Sequence, residues 1–508
     1  MKKICLAFGV LLSVVALCSC GADKKTKQPP EPLKIQIYDR GNVPDGAGTV
    51  TDNAVTEWIK KEFGEKNNID VRFVPITRDN GAELDVLIAT GDAPDIMFNY
   101  SYQGTYDYYR SGYTMDLTNY ISADSPLRDF LGEDLMQLGN IDGKQVMIPA
   151  KRLIKGRQAQ LVRGDWLDKL GIEPPRNTDE FYAMLKAFKK YDPGENGNKN
   201  IPYGISANTA NFTDLMNSFR KNGFSDRDMN CSNMIEDPGY REGVRFMNKL
   251  YNEGLVSPYY KYDSDRKKVE SDIANGFVGF FCDDLGRPLQ VGGVYEQLIS
   301  NVPGARLEAV DTWTDSAGNH PKCVYSNSAL YISVAETCSN PSNAIKYLEW
   351  MCDPDVMRVL QYGFEGVTYE LDFDGIPKVI SSDQSKITHW YSLGFDLGII
   401  VNGKYTPDAD KILAFNANAT VDPKLYMECY ENSMRDTWNL KDFLGSDKQY
   451  TDSAYMAKLI GLLTTDCITC PPDEFDAEYD RIVNSLNNLN LTQITADLYK
   501  NYDKTYAN

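Results

Sequence analysis

The chain has 508 residues, of which 42% are hydrophobic and 11% aromatic, so it can bury a sizeable interior but is too long for a single core. Its 72 acidic residues against 53 basic ones leave a net charge of −19, which disfavours nucleic acid and an anionic membrane surface as partners. Only two histidines occur, His320 and His389, which all but excludes a histidine-dependent triad or zinc site.

At the amino terminus, Lys2 and Lys3 precede an apolar run from Ile4 to Leu17, which leads into Leu17-Cys18-Ser19-Cys20-Gly21. A charged start, a short apolar stretch and small residues predict a signal peptide over 1–19. The site resembles a bacterial lipobox, in which Cys20 would become the first mature residue and carry a diacylglyceryl group. The plainer alternative is an ordinary secreted protein cut nearby. Residues 20–32 are polar and proline-bearing and read as a tether. No later apolar segment reaches the roughly 20 residues that a spanning helix needs. The expectation is therefore a body anchored outside the cytoplasmic membrane by lipid alone.

Beyond the tether, strand and helix patterns alternate. Lys34–Tyr38 (KIQIY) reads as a strand, and Ala54, Val55, Trp58, Ile59 and Phe63 recur at helical spacing. Asp70–Val74 (DVRFV) reads as a second strand. The stretch DVLIATGDAPDIMFNY, residues 85–100, predicts a helix stopped at Gly91, a turn through Asp92 and Pro94, and a buried third strand. This order predicts an α/β fold with a mainly parallel sheet. Asn177 followed by Glu180 starts a helix whose apolar face is Phe181, Met184, Leu185 and Phe188. Ala329–Val334 is a strand. Asn340-Pro341 opens a helix that Asp353-Pro354 ends, and the last 35 residues are helical with Phe475, Tyr479, Ile482, Val483 and Leu486 on one side. Eight cysteines remain after Cys5, Cys18 and Cys20, an even number that permits disulfides without revealing their pairing. Cys467-Ile-Thr-Cys470 has redox or zinc spacing but no second pair, so a local disulfide or two thiols is the expectation.

Several of these stretches carry a resemblance. TGDAPDI (90–96) resembles the "GD-PD-I" signature of extracellular solute-binding protein family 1, the receptor lipoproteins of ABC importers. Arg163–Gly171 (RGDWLDKLG), Tyr251–Val256 (YNEGLV), Ile273–Phe281 (IANGFVGFF), Gln361–Tyr369 (QYGFEGVTY) and the closing stretch Tyr479–Tyr506 are similar, in order, to further family motifs, notably those of the large oligosaccharide- and alginate-receptor branch. The resemblance implies a two-lobed periplasmic-binding-protein type II fold with a hinge and a cleft between lobes. By analogy, 33–152 plus 306–360 form the first lobe, and 153–305 plus 361–508 the second.

In such a fold the ligand lies beyond the carboxyl ends of the strands. Sugars ask for aromatic faces beside polar side chains, and the candidates are Arg40, Asn99, Tyr102, Arg152, Asp283, Asp284, Trp313, Trp390 and Tyr391. An acidic ligand would be clamped by arginine. Asp92 and Asp95 read as turn residues, not as an acid–base pair. The segment Asp192–Asn200 resembles a calcium loop of several relatives, with Asp192, Asn196, Gly197 and Asn200 in matching places. It departs from it at Gly194, where a ligating side chain is usual, and in the missing acidic residue before Ile201. No other cofactor is implied. The implied function is a monomeric, non-enzymatic receptor that binds a carbohydrate and docks on an importer's permease subunits. The rivals are a glycan-cleaving lipoprotein and a receptor for a non-sugar solute.

Overall fold

A computed structural model describes residues 29–39, 48–77, 81–221, 223–380 and 397–506. The stretch 1–19 expected to be a signal peptide, the expected lipidation site Cys20, and the candidates Arg40, Trp390 and Tyr391 lie outside the described residues.

The first strand extends over Glu31–Asp39 and pairs in parallel with Ile69–Thr77 along its whole length. The helix between them, Ala54–Ile59, is started by Asn53, whose side chain accepts from the amides of Val55 and Thr56 at 3.1 Å each. Val55, Ile59 and Phe63 are buried against the sheet, as their spacing predicts. Gly91, at φ +79°, ends the helix Gly81–Thr90 in the left-handed conformation that glycine adopts freely. The strand Ile96–Asn99 then enters beside the first. Asp95 explains the spacing of that junction. Its carboxylate accepts from the Lys34 amide at 2.7 Å, and its carbonyl accepts from the Ala335 amide at 3.0 Å. It ties together the two strands that flank its own. Replacing Asp95 with alanine is expected to cost about 1–2 kcal/mol, the price of an unpaired strand amide, measured by urea unfolding.

Two main sheets result, one in each of two lobes, beside three two-stranded ones among the described residues. The first has six strands in the order Val401–Asn402, Ile148–Arg152, Ser328–Val334, Ile96–Asn99, Glu31–Asp39, Ile69–Thr77. The second has four, in the order Leu307–Val310, Gln158–Arg163, Val278–Asp284, Ile201–Gly204. The parallel pairing expected from the first three strands holds for them and recurs in this sheet between Val401–Asn402 and Ile148–Arg152. Ser328–Val334 runs antiparallel to both its neighbours, and the second sheet has one parallel pair, Ile201–Gly204 with Val278–Asp284. The reason is connectivity. Ser328–Val334 is reached from the other lobe and not by a local strand–helix–strand crossover.

The chain passes from the first sheet to the second through 153–157 and returns through 311–327. Sheet membership departs from the expected segment division in two places. Leu307–Val310 pairs with Gln158–Arg163 in the second sheet, and Val401–Asn402 pairs with Ile148–Arg152 in the first.

Helices cover both sheets. Thr178–Tyr191 buries Phe181, Met184, Leu185 and Phe188, and the Asn177 side chain accepts from the Glu180 amide at 2.9 Å. Glu180 bonds back to the Arg176 amide instead of closing a full capping box. Pro341–Trp350 buries Ala344, Ile345 and Leu348. Asp353-Pro354 ends it as expected and also starts the helix Pro354–Tyr362, with Asp353 accepting from the Asp355 amide at 2.8 Å. The closing helices Phe475–Asn487 and Leu491–Tyr506 join the second lobe's core through Phe475, Tyr479, Ile482, Leu486 and Ile494. All eight described cysteines are free thiols, six of them buried. Near Cys467 and Cys470, the Asn248 amide donates to the Cys467 and Cys470 carbonyls at 2.9 Å, so this region is a helix-end cap. No described helix is long and apolar enough to cross a membrane.

Candidate ligand-binding cleft

A cavity of about 660 Å³ opens where the two sheets approach each other. Arg152 and Tyr100 reach it from the carboxyl ends of first-sheet strands, and Asp284 from the carboxyl end of a second-sheet strand. Asn402 reaches it from the end of a further first-sheet strand, and Arg157, Tyr325 and Lys404 from segments that pass between the sheets or follow them. Two strand systems with their carboxyl ends facing one hollow leave backbone and loop groups free to meet a ligand.

Tyr325 is the organising side chain. The Arg152 guanidinium lies 4.0 Å from its ring centre and that of Arg157 lies 5.9 Å from it. Its hydroxyl donates to an Asp284 carboxylate oxygen at 3.4 Å. Burial pushes the Tyr325 phenol up, so it stays protonated and donates. Arg152 is fixed by donating Nε to the Ser328 carbonyl at 3.2 Å and Nη1 to Asn402 Oδ1 at 3.1 Å. Burial pulls its guanidinium down from the ordinary arginine value. Burial also works against the charged form of Arg157, but Cys323, Asp214, Tyr325 and Asp284 around it outweigh that and the net shift is upward. Lys404, 4% exposed, donates to the Gln361 carbonyl and sits 4.6 Å from the Tyr362 ring centre; burial brings its ammonium down to about 7.

The sequence-predicted candidates divide. Arg152 and Asp284 line the cavity. Asn99 sits at the strand end, but its Oδ1 accepts from the Ser101 amide at 2.8 Å, and the next residue, Tyr100, faces the hollow. Tyr102 turns away: its hydroxyl donates to the Leu138 carbonyl at 3.0 Å and its ring meets Tyr331 edge-on. Asp283 points to the opposite face of its strand from Asp284, as strand alternation requires, and is paired at 2.7 Å with buried Arg266. Trp313 is a core residue, 2% exposed, with ring centres of Phe181 and Phe280 each 6.2 Å away. Its irregular segment suggested a loop, but that loop folds inward. Arg157, Tyr325, Asn402 and Lys404 were not singled out from sequence. A signal was present for one of them: in RLIKGR (152–157) basic residues bracket the link between two strands.

The calcium reading fares differently. In the loop after Thr178–Tyr191 both Asp192 oxygens hold the backbone, accepting from the Asn196 amide at 3.0 Å and the Gly197 amide at 2.7 Å. Asn196 donates to the Gly276 carbonyl at 2.9 Å and Asn200 to the Phe188 carbonyl at 2.8 Å. A side chain at Gly194 is impossible without rearrangement, because a Cβ there would lie 2.5 Å from the Trp166 ring. Among the described residues no group of three acidic, histidine or cysteine side chains is placed to hold a metal. The loop offers the Asp192 carboxylate and the buried Asn200 Oδ1, which has no hydrogen-bond partner among the described residues, a small set beside the about six to eight oxygens that a calcium ion takes. The melting temperature is expected to move by less than about 1 °C on adding either millimolar calcium or a chelator, since only a bound ion stabilises by mass action.

Comparison with known proteins places this geometry. The model of the bacterial extracellular solute-binding protein family matches residues 47–358. Lipoprotein LipO of Bacillus subtilis is 22% identical over 332 residues, covering 63% of this chain and 64% of its own length. The polygalacturonan/rhamnogalacturonan-binding protein YtcQ of the same organism is 21% identical over 355 residues, covering 65% of this chain and 66% of its own. The fructooligosaccharide ABC transporter substrate-binding protein FusA of Streptococcus pneumoniae is 23% identical over 287 residues, 48% of this chain and 51% of its own. The chain thus spans between half and two thirds of the length of these relatives. Among solved structures, the alginate-binding protein AlgQ2 without calcium ion superposes with a TM-score of 0.71 at 19% identity, over 94% of this chain and 99% of that one. FusA in complex with kestose gives 0.71 at 16% identity, over 94% and 100%. At these identities the superpositions establish the fold.

Proposed function

Because the chain belongs to the bacterial extracellular solute-binding protein family, we propose that it is a lipid-anchored receptor on the extracytoplasmic face, which binds an oligosaccharide between its lobes and hands it to an ABC importer. Lobe closure about the links 153–157 and 311–327 would bury the sugar. The observation that carries the reading is the cavity between the two sheets, where the Tyr100 and Tyr325 rings stand beside Arg152, Asp284 and Asn402. Aromatic faces take the C–H surface of a sugar ring, and the polar groups take its hydroxyls. The ligands of the relatives, polygalacturonan and rhamnogalacturonan for YtcQ and fructooligosaccharides for FusA, agree with it. Anchoring follows from the lipobox resemblance at Cys20, and the protein acts as a monomer with the permease subunits as its partners.

Glycan cleavage is the weaker alternative. Hydrolysis needs two carboxyl groups about 5–9.5 Å apart, and among the described residues that line the cavity Asp284 is the single carboxylate. Thermal shift and calorimetric titration against mono- and oligosaccharides test the receptor reading. It requires micromolar or tighter binding of some saccharide, without release of reducing ends on prolonged incubation. Turnover of a glycan, or binding of a non-sugar solute in preference to every saccharide, would falsify it.

A further inference from the structure

The cavity wall is charged against the sign of the protein. The whole chain carries −19, yet Arg152, Arg157, Arg287 and Lys404 all face the cavity, against one lining carboxylate, Asp284. Arg287 is paired with Glu270. The other three enter no ion pair among the described residues: Arg152 is held by a carbonyl and an amide oxygen, Arg157 by the Tyr325 ring and the neighbourhood of the Cys323 thiol, and Lys404 by a carbonyl and the Tyr362 ring. Asp214 and Asp284 lie near Arg157 and offset the burial of its guanidinium, whereas burial disfavours the charged forms of Arg152 and Lys404 with no comparable offset. Taking a cation from water without an opposite charge is costly. Arginine and lysine together present eight N–H donors per such pair of groups, and the partners named here use few of them.

Resting on the receptor reading above, we propose that the cleft is built for an acidic saccharide, one whose ring carboxylates are received by Arg152, Arg157 and Lys404. Two guanidinium groups stand near one tyrosine ring, Arg152 at 4.0 Å and Arg157 at 5.9 Å from its centre, and a planar fork matches a carboxylate edge to edge. Tyr325 would then serve two purposes, as a face for the sugar ring and as the platform that aims both arginines. The amide of Asn402 positions Arg152 and leaves the sugar hydroxyls to Asp284.

The test is calorimetric titration of the full mature chain with tetramers of galacturonate, glucuronate and mannuronate, each beside a neutral tetramer of the corresponding sugar, at low and moderate salt. We expect at least one acidic tetramer to bind tenfold or more tightly than its neutral counterpart, with affinity falling as salt rises. Arg157→Gln is expected to cost that tetramer about tenfold to a hundredfold, the worth of a charge-assisted contact. Lys404→Met supplies an independent variant, since an apolar chain of similar length keeps the buried site filled. Tighter binding of a neutral tetramer, or acidic binding indifferent to salt and to both variants, would overturn the acidic assignment while leaving the receptor reading intact. If none of the six tetramers binds, the acidic assignment falls, and the receptor reading is decided by the wider saccharide screen.

Discussion

Tyr325→Ala is expected to weaken saccharide binding by about tenfold to a hundredfold, the loss typical of a central aromatic anchor, with the melting temperature changed by no more than about 4 °C. The ring is half-buried at the cavity and not part of a hydrophobic core cluster, so its removal strips a surface from the cleft more than it opens a void. It also releases Arg152 and Arg157 from their shared platform. Tyr325→Phe separates the two contributions. It keeps the ring and loses the 3.4 Å hydroxyl contact to Asp284, a long hydrogen bond that contributes little. The phenylalanine variant should therefore bind within about threefold of the parent. Titration of all three proteins with one saccharide decides the matter: parent-like affinity in the alanine variant means that the ligand sits elsewhere.

The second large effect lies behind the cleft. Arg266→Ala should destabilise the protein by about 3–5 kcal/mol at pH 7, the cost of leaving one member of a buried pair alone. Asp283 is 1% exposed, and its partner Arg266 is 5% exposed, with 2.7 Å between guanidinium and carboxylate. Burial raises the Asp283 carboxyl to about 6, with Arg266 and Arg287 pulling the other way. The sign follows from that direction. A carboxyl whose folded value lies above its unfolded one holds its proton in the folded state, so its contribution favours folding at low pH and is lost as pH rises from about 4 to about 6. Without Arg266 the carboxyl climbs further and that window widens upward. The gap between Arg266→Ala and the parent should therefore be largest at pH 7 and narrow towards pH 5, as read from urea unfolding at each pH. A pH-independent gap would show that lost packing, not the stranded charge, is responsible.

Asp283 also shows what one sequence can and cannot disclose. Its neighbour Asp284 is chemically identical and one residue away, and both follow the same apolar run. Strand alternation requires that they point to opposite faces, but nothing local says which face is the cavity. That depended on Arg266, seventeen residues earlier, arriving beneath one of them. Trp313 is a similar case. Its segment has no periodicity, yet three aromatic residues from Thr178–Tyr191 and the second sheet surround it. Lys404 and Tyr325 carried no local mark at all. They become site residues because strands distant in sequence end at the same hollow.

The local elements were legible because their causes are local: alternation in KIQIY, the 3.6-residue spacing of Phe181, Met184, Leu185 and Phe188, the caps at Asn177 and Asn340, and the stop at Gly91. Ordered motifs running from TGDAPDI to the final helices were enough to point to the family and the two-lobed fold. Tertiary structure alone decided strand order, the antiparallel insertion of Ser328–Val334, and which charged side chains share the cavity. Those depend on contacts between residues hundreds of positions apart, which short-range spacing does not encode.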